Sequence, residues 1–500
     1  VKYNIFNPII SWVIKKRIHR INKFIKEPIK SQDEVLKNLI LQSKDTIWGR
    51  KYNYTKINNY TDFQKKVPIQ SYEDIKPYVE LIKSGSKNVL WRGKVFSFAK
   101  SSGTTNEKSK FIPITKDSLN NCHLKGGQDL LSIYVNEFPN TKIFSGKSLM
   151  IGGSNKLEKN SKILTGDLSS ILIDNLPIWT QLISTPKREI ALMSNWEEKI
   201  EKMISEIINE DVHSISGVPS WTILLLEKIL EKTQKKTIEE IWPNLELYMH
   251  GGISMSPYIK SFKKLIGKKI NYLEIYNASE GFFAIQNNLQ KQDLLLMLDY
   301  GVFYEFIPIV NGKESQEIIP LKKVKKNKNY AIVITTNGGL WRYKIGDTVK
   351  FTSINPYKII ITGRTKHFIN CFGEEIMIHN TEQAIKNAAE KTDSIVNDYT
   401  VAPKFFSNHS GCHEWIIEFS LAPKDMQKFT KILDHTLQKN NSDYEAKRSK
   451  NLLLKPPIIH SVEKNFFYKW LKTKNKLGGQ NKIPRLSNDR KKMNELLKFL

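Results

Sequence analysis

Apolar residues recur along this chain in two rhythms. From residue 8 to 26, Ile10, Ile14, Ile18, Ile21 and Ile25 fall three or four positions apart, the spacing of one helix face. Asn7 can cap such a helix, Pro8 suits its first turn, and Lys15, Lys16, Arg17, Arg20 and Lys23 surround the stripe. The pattern fits a helix that lays its isoleucines on the protein's own core; weak association with a membrane surface or a partner is its other use. From about residue 33 to 276, helical spacing (196–208 and 220–233, for example) alternates with short β-type runs at 95–99, 148–151 and 245–249. Beyond Glu280 the β-type runs dominate, at 303–308, 330–335 and 348–352. A turn-rich stretch at 363–373 then precedes a last region with two helical patterns and a strand at 414–419. This order reads as α/β: a large domain over 1–365, of mixed sheets flanked by helices plus a β-rich subdomain, then a small α+β domain over 366–500. No internal repeat or low-complexity linker interrupts it.

Composition narrows the class. With 500 residues, 40% of them hydrophobic and 10% aromatic, the chain is not intrinsically disordered, and its core needs no disulfide or metal staple. Cys122, Cys371 and Cys412 are scattered and odd in number, which argues for a reducing, cytoplasmic compartment. The most apolar stretch, 294–310, is broken by Asp299 and Glu305, so no membrane span is expected. The net charge of +28 favours anionic partners, among them nucleotides, phosphorylated substrates, nucleic acid and acidic lipid. The lysines behind it are spread along the whole chain, as a compositional habit would spread them. A nucleic-acid reader concentrates charge with aromatic residues between, and the nearest approach is residues 468–476. A solvated helix face leading towards Lys482 is the preferred account of that segment.

Several common signatures fail. No Gly-x-Gly occurs, which removes the dinucleotide fingerprint. Thr141 stands where a Walker loop ending Gly146-Lys147-Ser148 needs its first glycine, and Ile417 stands where His413-Glu414 would need a second zinc histidine. What remains is a set of small polar clusters at strand ends. Ser101-Ser-Gly-Thr-Thr-Asn-Glu-Lys-Ser-Lys110 crowds five hydroxyls, one glycine and two lysines into a loop between two β-type runs. Hydroxyls and backbone N–H groups in a tight turn form an anion nest, and Lys108 or Lys110 adds charge; an ordinary solvated hairpin uses the same residues. His250-Gly251-Gly252-Ile253 lets a ligand approach the backbone, or merely turns it. In Tyr276-Asn-Ala-Ser279-Glu280-Gly281 an aromatic and a carboxylate four residues apart can stack a base and hold Mg²⁺. In Tyr343-Lys-Ile-Gly-Asp347 the aspartate can accept the hydroxyls of a ribose, or simply occupy a turn.

Taken in order, these clusters resemble the adenylate-forming enzyme superfamily, and within it the auxin-responsive GH-three family of acyl acid–amido synthetases, in particular its bacterial members. The resemblance covers about residues 33–490. It implies a large adenylate-forming domain and a small mobile one. Ser101, Ser102, Gly103, Thr104, Thr105 and Lys110 look like the family's phosphate loop, with Thr105 in place of a serine and Glu107 in place of its second glycine. Gly252 lies in the segment that lines the acyl and adenine pocket. Tyr276 and Ser279 fall in the nucleotide motif, and Glu280 matches its Mg²⁺ ligand. Asp347 matches the ribose-binding aspartate, with Lys344 in place of the usual arginine. Gly363-Arg364-Thr-Lys366 resembles the hinge segment, with Arg364 as a further catalytic candidate and Lys366 at the hinge itself. Gly478-Gly-Gln-Asn-Lys482-Ile-Pro-Arg485 is similar to a stretch whose lysine contacts the reacting carboxylate and phosphate, which singles out Lys482.

The activity so implied is a two-step ligation with ATP and Mg²⁺. A small carboxylic acid attacks the α-phosphorus of ATP to give an acyl-adenylate and pyrophosphate, and an amine, in this family an amino acid, then displaces AMP. A CoA ligase on the same fold differs only in the second nucleophile, and a member that binds nucleotide without turnover is a further alternative. The acid should be held by residues between about 122 and 219. No specific nucleic-acid partner is expected, and a monomer is the default.

Overall fold

The computed structural model describes residues 6–101, 110–153, 155–157, 163–193, 195–252, 255, 258–310, 313–364, 368–369, 371, 374, 376–406, 410–448, 454–474 and 483–500. The chain forms two compact units. The first comprises Val1–Gly252, Lys268–Ile345 and Lys350–Ile360, and the second Ile253–Gly267, Gly346–Val349 and Ile361–Leu500.

The N-terminal pattern gives two helices, Phe6–Lys15 and Ile18–Lys26, where the sequence predicts one. Asn7 lies within the first and does not cap it: its side chain donates to the Thr141 carbonyl (2.9 Å) and accepts from the Phe144 N–H (3.2 Å). Ile14, Ile21 and Phe24 are buried, so the stripe does serve the protein's own core, while Ile9, Trp12 and Val13 stay exposed. Arg17 and Arg20 reach Asp129, a fully buried carboxylate in the helix Leu124–Glu137, at 2.7 and 2.6 Å. A buried carboxylate must be paired, and these arginines meet that need. Further helices begin where capping residues stand. Asn59 accepts from the Asp62 N–H, Asn195 from those of Glu197 and Glu198, and Asp425 from that of Lys428.

The first unit is built on a mixed sheet of thirteen strands among the described residues. Towards one end of it Lys147–Met150, Val212–Gly217, Leu247–Gly251 and Asn271–Ala278 run parallel. The sheet continues through Gly281–Ile285, Leu294–Leu296, Tyr357–Arg364, Tyr343–Ile354, Asn329–Thr336 and Val302–Val310; the first three of these pair antiparallel in succession, as do the last two. A second sheet pairs Ser97–Ser101 with Lys110–Ile114 antiparallel and with Leu164–Gly166 parallel. One core cluster gathers Trp48, Tyr54, Phe63, Trp91, Phe98 and Trp341. Trp341 is fully buried and donates to the Leu90 carbonyl at 2.9 Å, so truncation to alanine costs about 3–5 kcal/mol.

The second unit holds a three-stranded sheet, Ile395–Phe405, Gly411–Leu421 and Ile458–Val462, with five helices among the described residues between 378 and 497 besides the separate Ile259–Ile266. The sequence shows only two of those helices and one of the strands. Ile395–Phe405 escapes because its ladder shifts register at Val396 and Asp398, which breaks the strict alternation. Helix Phe466–Thr473 carries the stretch with interleaved lysines and aromatics. Of its two rings in 468–476, Trp470 is buried with Phe467 among Ala402, Ile416 and Ile483 and so builds a core, while Tyr468 is partly exposed.

Candidate functional site

These four parallel strands end side by side. Met150 stands opposite Ser216, Gly217 opposite His250, and Gly251 opposite Ile275. In open α/β sheets the carboxyl ends of parallel strands form the ligand crevice. Glycine is required there. A β-carbon on Gly251 would stand 2.6 Å from the Ile275 carbonyl oxygen, and Gly252 has φ +79°. Past the first strand end, Gly152 and Gly153 are held by Lys199, a fully buried lysine of the helix Trp196–Ile207. Its Nζ donates to the carbonyls of Gly152, Gly153 and Ala191 at 2.8, 3.0 and 2.5 Å. Burial pushes this amine down to about 8, against the opposing pull of the Asp167 charge. Sequence reading missed Lys199, although its four-residue spacing to Met203 and Ile207 places a lysine on an apolar face.

The next strand end bears the nucleotide-like motif. Asn271–Ala278 turns through Ser279 and Glu280 into Gly281–Ile285, and both turn residues are partly exposed. The Tyr276 ring is buried and meets Phe283 edge-on, with centroids 4.9 Å apart. Two side chains pin the hairpin from below. His123 Nδ1 lies 3.2 Å from Asn277 Oδ1, and the Cys122 sulfur accepts from the Phe282 N–H at 3.2 Å. Burial pushes His123 down to about 4 despite its bond to Asn277, and pushes the Cys122 thiol up to about 12. Both are neutral near pH 7, so Cys122 is a packing residue and not a nucleophile.

The hydroxyl-rich loop springs from a paired base: Ser101 stands opposite Lys110 as the last pair of the Ser97–Ser101 and Lys110–Ile114 ladder. Lys110 Nζ lies 5.9 Å from the Tyr72 ring, whose hydroxyl accepts from the Phe111 N–H at 2.8 Å. Ser102, Gly103, Thr104 and Thr105 lie outside the described residues, as do Lys366 and Lys482.

In the second unit two motifs seventeen residues apart meet: Arg364 Nε bonds Asp347 Oδ1 at 2.8 Å. Of the two readings the sequence leaves for Asp347, a strand-end carboxylate or a turn, neither is quite met: it lies within the strand Tyr343–Ile354, just after Gly346 at φ +92°. Asp347 is 7% exposed, and Thr348 and Thr362 join the same two strands by a hydroxyl pair at 2.9 Å. Lys344, in the first unit, pairs with Glu314. The arginine with a bidentate role is its neighbour Arg342, which sequence reading passed over. It grips the buried Glu305 through Nε and Nη2, both at 2.8 Å, while Tyr60 donates to the same carboxylate.

One group of metal-ligating type occurs among the described residues, formed by Cys371, Glu374 and His413. Glu374 Oε1 there already accepts from the Cys371 N–H (2.6 Å) and faces His413 Nε2 (2.8 Å), and a structural zinc would ask for a fourth ligand. Ser279 and Glu280, neighbours in the turn before Gly281, carry oxygen ligands of the kind Mg²⁺ takes, an ion that keeps most of its waters and takes few protein ligands.

The fold is shared with acyl acid amido synthetases and a CoA ligase. The solved structure of the AtGH3.15 acyl acid amido synthetase with 2,4-DB superimposes with a TM-score of 0.80 at 16% identity, over 98% of this chain and 96% of that one. A 2-hydroxyisobutyryl-CoA ligase in its postadenylation state shares the fold at a TM-score of 0.61 and 11% identity, over 93% and 90%. The chain belongs to the GH3 family: residues 17–270 match its N-terminal domain, 295–364 its central domain and 379–491 its C-terminal domain. Among curated relatives, the jasmonoyl–L-amino acid synthetase JAR4 of Nicotiana attenuata is 23% identical over 465 residues, 78% of each chain. Acyl-adenylate-forming ligase chemistry follows from that membership.

Proposed function

We propose that this protein joins a small carboxylic acid to an amino acid at the expense of ATP, through an acyl-adenylate. The observation that carries the reading is the row of glycine-bearing strand ends closing on the Ser279–Glu280 turn in a GH3 chain. The acid's carboxylate oxygen attacks the α-phosphorus as the bond to pyrophosphate breaks. The amine then attacks the acyl carbon, AMP leaves, and the amine's proton goes to solvent. Both reactants of the first step are anions, so its barrier is dominated by charge.

Ser101, Ser102, Gly103, Thr104, Thr105 and Lys110 bind the phosphates, and Lys482 meets the oxygens of the reacting carboxylate and phosphate. Glu280 holds Mg²⁺, which supplies Lewis-acid neutralisation of phosphate charge when bound. Gly252 and Tyr276 border the adenine, Ser279 lies beside it, and Asp347 accepts the ribose hydroxyls, oriented by Arg364. Residues 366–500 act as the small domain that moves about Lys366 between the two steps. Free thiols at Cys122, Cys371 and Cys412 suit the cytoplasm, and the protein works as a monomer.

The test is pyrophosphate release from Mg·ATP with pooled carboxylic acids, with amino acids or CoA added in parallel. Glu280→Ala should cut the release at least ~100-fold. Release that ignores this substitution would sink the assignment. A thioester product formed with CoA, and no amide with amino acids, would make the protein a CoA ligase instead.

A further inference from the structure

Arg485 lies three residues after Lys482 and is 8% exposed. Its guanidinium pairs with Glu382, donates to the Tyr258 hydroxyl at 3.1 Å, and stands 3.7 Å from the Asp398 carboxylate. Its carbon lies 5.6 Å from the Tyr258 ring centre and 5.1 Å from that of Tyr399. All of these residues belong to the second unit. The chain around Arg485 is equally fastened: Thr400 donates to the Pro484 carbonyl (2.6 Å), Val401 N–H to that of Arg485 (2.9 Å), and Ser487 N–H to that of Val401 (3.1 Å). Tyr258 is buried and stands six residues beyond Gly252, at the head of the helix Ile259–Ile266, whose Lys260 bonds the Ala389 carbonyl at 3.2 Å.

A single buried cation thus ties together four stretches of chain: the helix Ile378–Lys391, the strand Ile395–Phe405, the segment that follows Gly252, and the segment that follows Lys482. Only a planar fork can bond Glu382 and Tyr258 at once while lying between two aromatic rings, so lysine is a poor substitute.

We infer that Arg485 is a positioning residue for adenylation, fastening the chain that carries Lys482 to the segment that follows Gly252. This rests on Lys482 acting in the first step, as proposed above. A residue that acts through Lys482 should lose nothing more once that lysine is gone.

The experiment compares Lys482→Ala, Arg485→Gln and the double variant in pyrophosphate release, with Arg485→Lys alongside. Arg485→Gln should lower kcat at least ~30-fold and leave the KM for ATP within about threefold. Arg485→Lys should recover part of the rate, and the double variant should match Lys482→Ala within about threefold. Multiplying losses, or a wild-type rate for Arg485→Gln, would overturn the proposal. A wild-type rate for Lys482→Ala would overturn the role of Lys482 and this proposal with it. Should Arg485→Gln fail to fold, Tyr258→Phe removes the bond and keeps the ring; a milder, equally non-additive loss is expected, and no loss would refute. Hydrogen exchange provides an arm independent of turnover. Faster exchange confined to 253–258 and 475–487 is expected in Arg485→Gln, whereas loosening across the whole second unit would reduce Arg485 to a core residue.

Discussion

Lys199 and Glu414 are both shielded from solvent, yet their charges act on stability in opposite senses. The Lys199 amine is lowered by burial to about 8 from an ordinary 10.5. Between those values the unfolded chain binds more protons than the folded one, so stability attributable to Lys199 rises with pH across that window. Wild type should therefore gain on Lys199→Met by up to about 3 kcal/mol between pH 8 and 10.5, read from denaturant midpoints. Burial alone would raise Glu414, but bonds from Lys404 (2.7 Å), Arg490 (2.5 Å) and His460 (3.1 Å) outweigh it and hold the carboxyl at about 2. Its contribution is present above the ordinary value of 4.5 and disappears as pH falls towards 2. The gap in urea midpoint between wild type and Glu414→Gln should be wide at pH 6 and narrow at pH 3. An unchanged gap would mean that the ion cluster contributes nothing.

At the scale of elements, the strand ends rather than the strands carry the site. Gly251 sits where Leu247–Gly251 meets Asn271–Ala278, and any β-carbon there presses on the Ile275 carbonyl. Backbone cannot swing aside as a side-chain tip can, so Gly251→Ala should cost about 1–3 kcal/mol, seen as a lower unfolding midpoint. An unchanged midpoint would show that the ladder absorbs the strain. Such positions were legible as special backbone, because paired glycines after an apolar run mark a turn or a close approach, though the sequence alone did not say which. The N-terminal helix was less legible. Its isoleucine spacing runs unbroken through Arg17, and the break there coincides with the pull of Asp129 on Arg17 and Arg20, more than a hundred positions away.

For the whole molecule, the two units are not simple halves of the chain. The second takes Ile253–Gly267 and Gly346–Val349 as well as everything from Ile361 onwards. Gly252 and Ile253, and likewise Ile345 and Gly346, therefore straddle a unit boundary. Under the proposed two-step cycle, Lys366→Pro should spare one half-reaction and cripple the other, measured as pyrophosphate release against amide formation from preformed acyl-adenylate. Equal loss in both would remove the hinge.

The sequence by itself determined the α/β class, the order of the motifs and the family they belong to. Each motif is local, a run of hydroxyls between two paired strands, a glycine where backbones crowd, a carboxylate on a hairpin turn, and local patterns are written in particular residues at particular positions. Only the tertiary structure decided that Asp347 meets Arg364 and that Lys199 grips Gly152 and Gly153. The same holds for Arg485, which reaches Tyr258 across 227 positions. A buried charge reads like any other Lys, Arg or Glu until the chain closes around it. Its partners are chosen by long-range packing, where desolvation makes pairing obligatory and neighbouring residues carry no record of the choice.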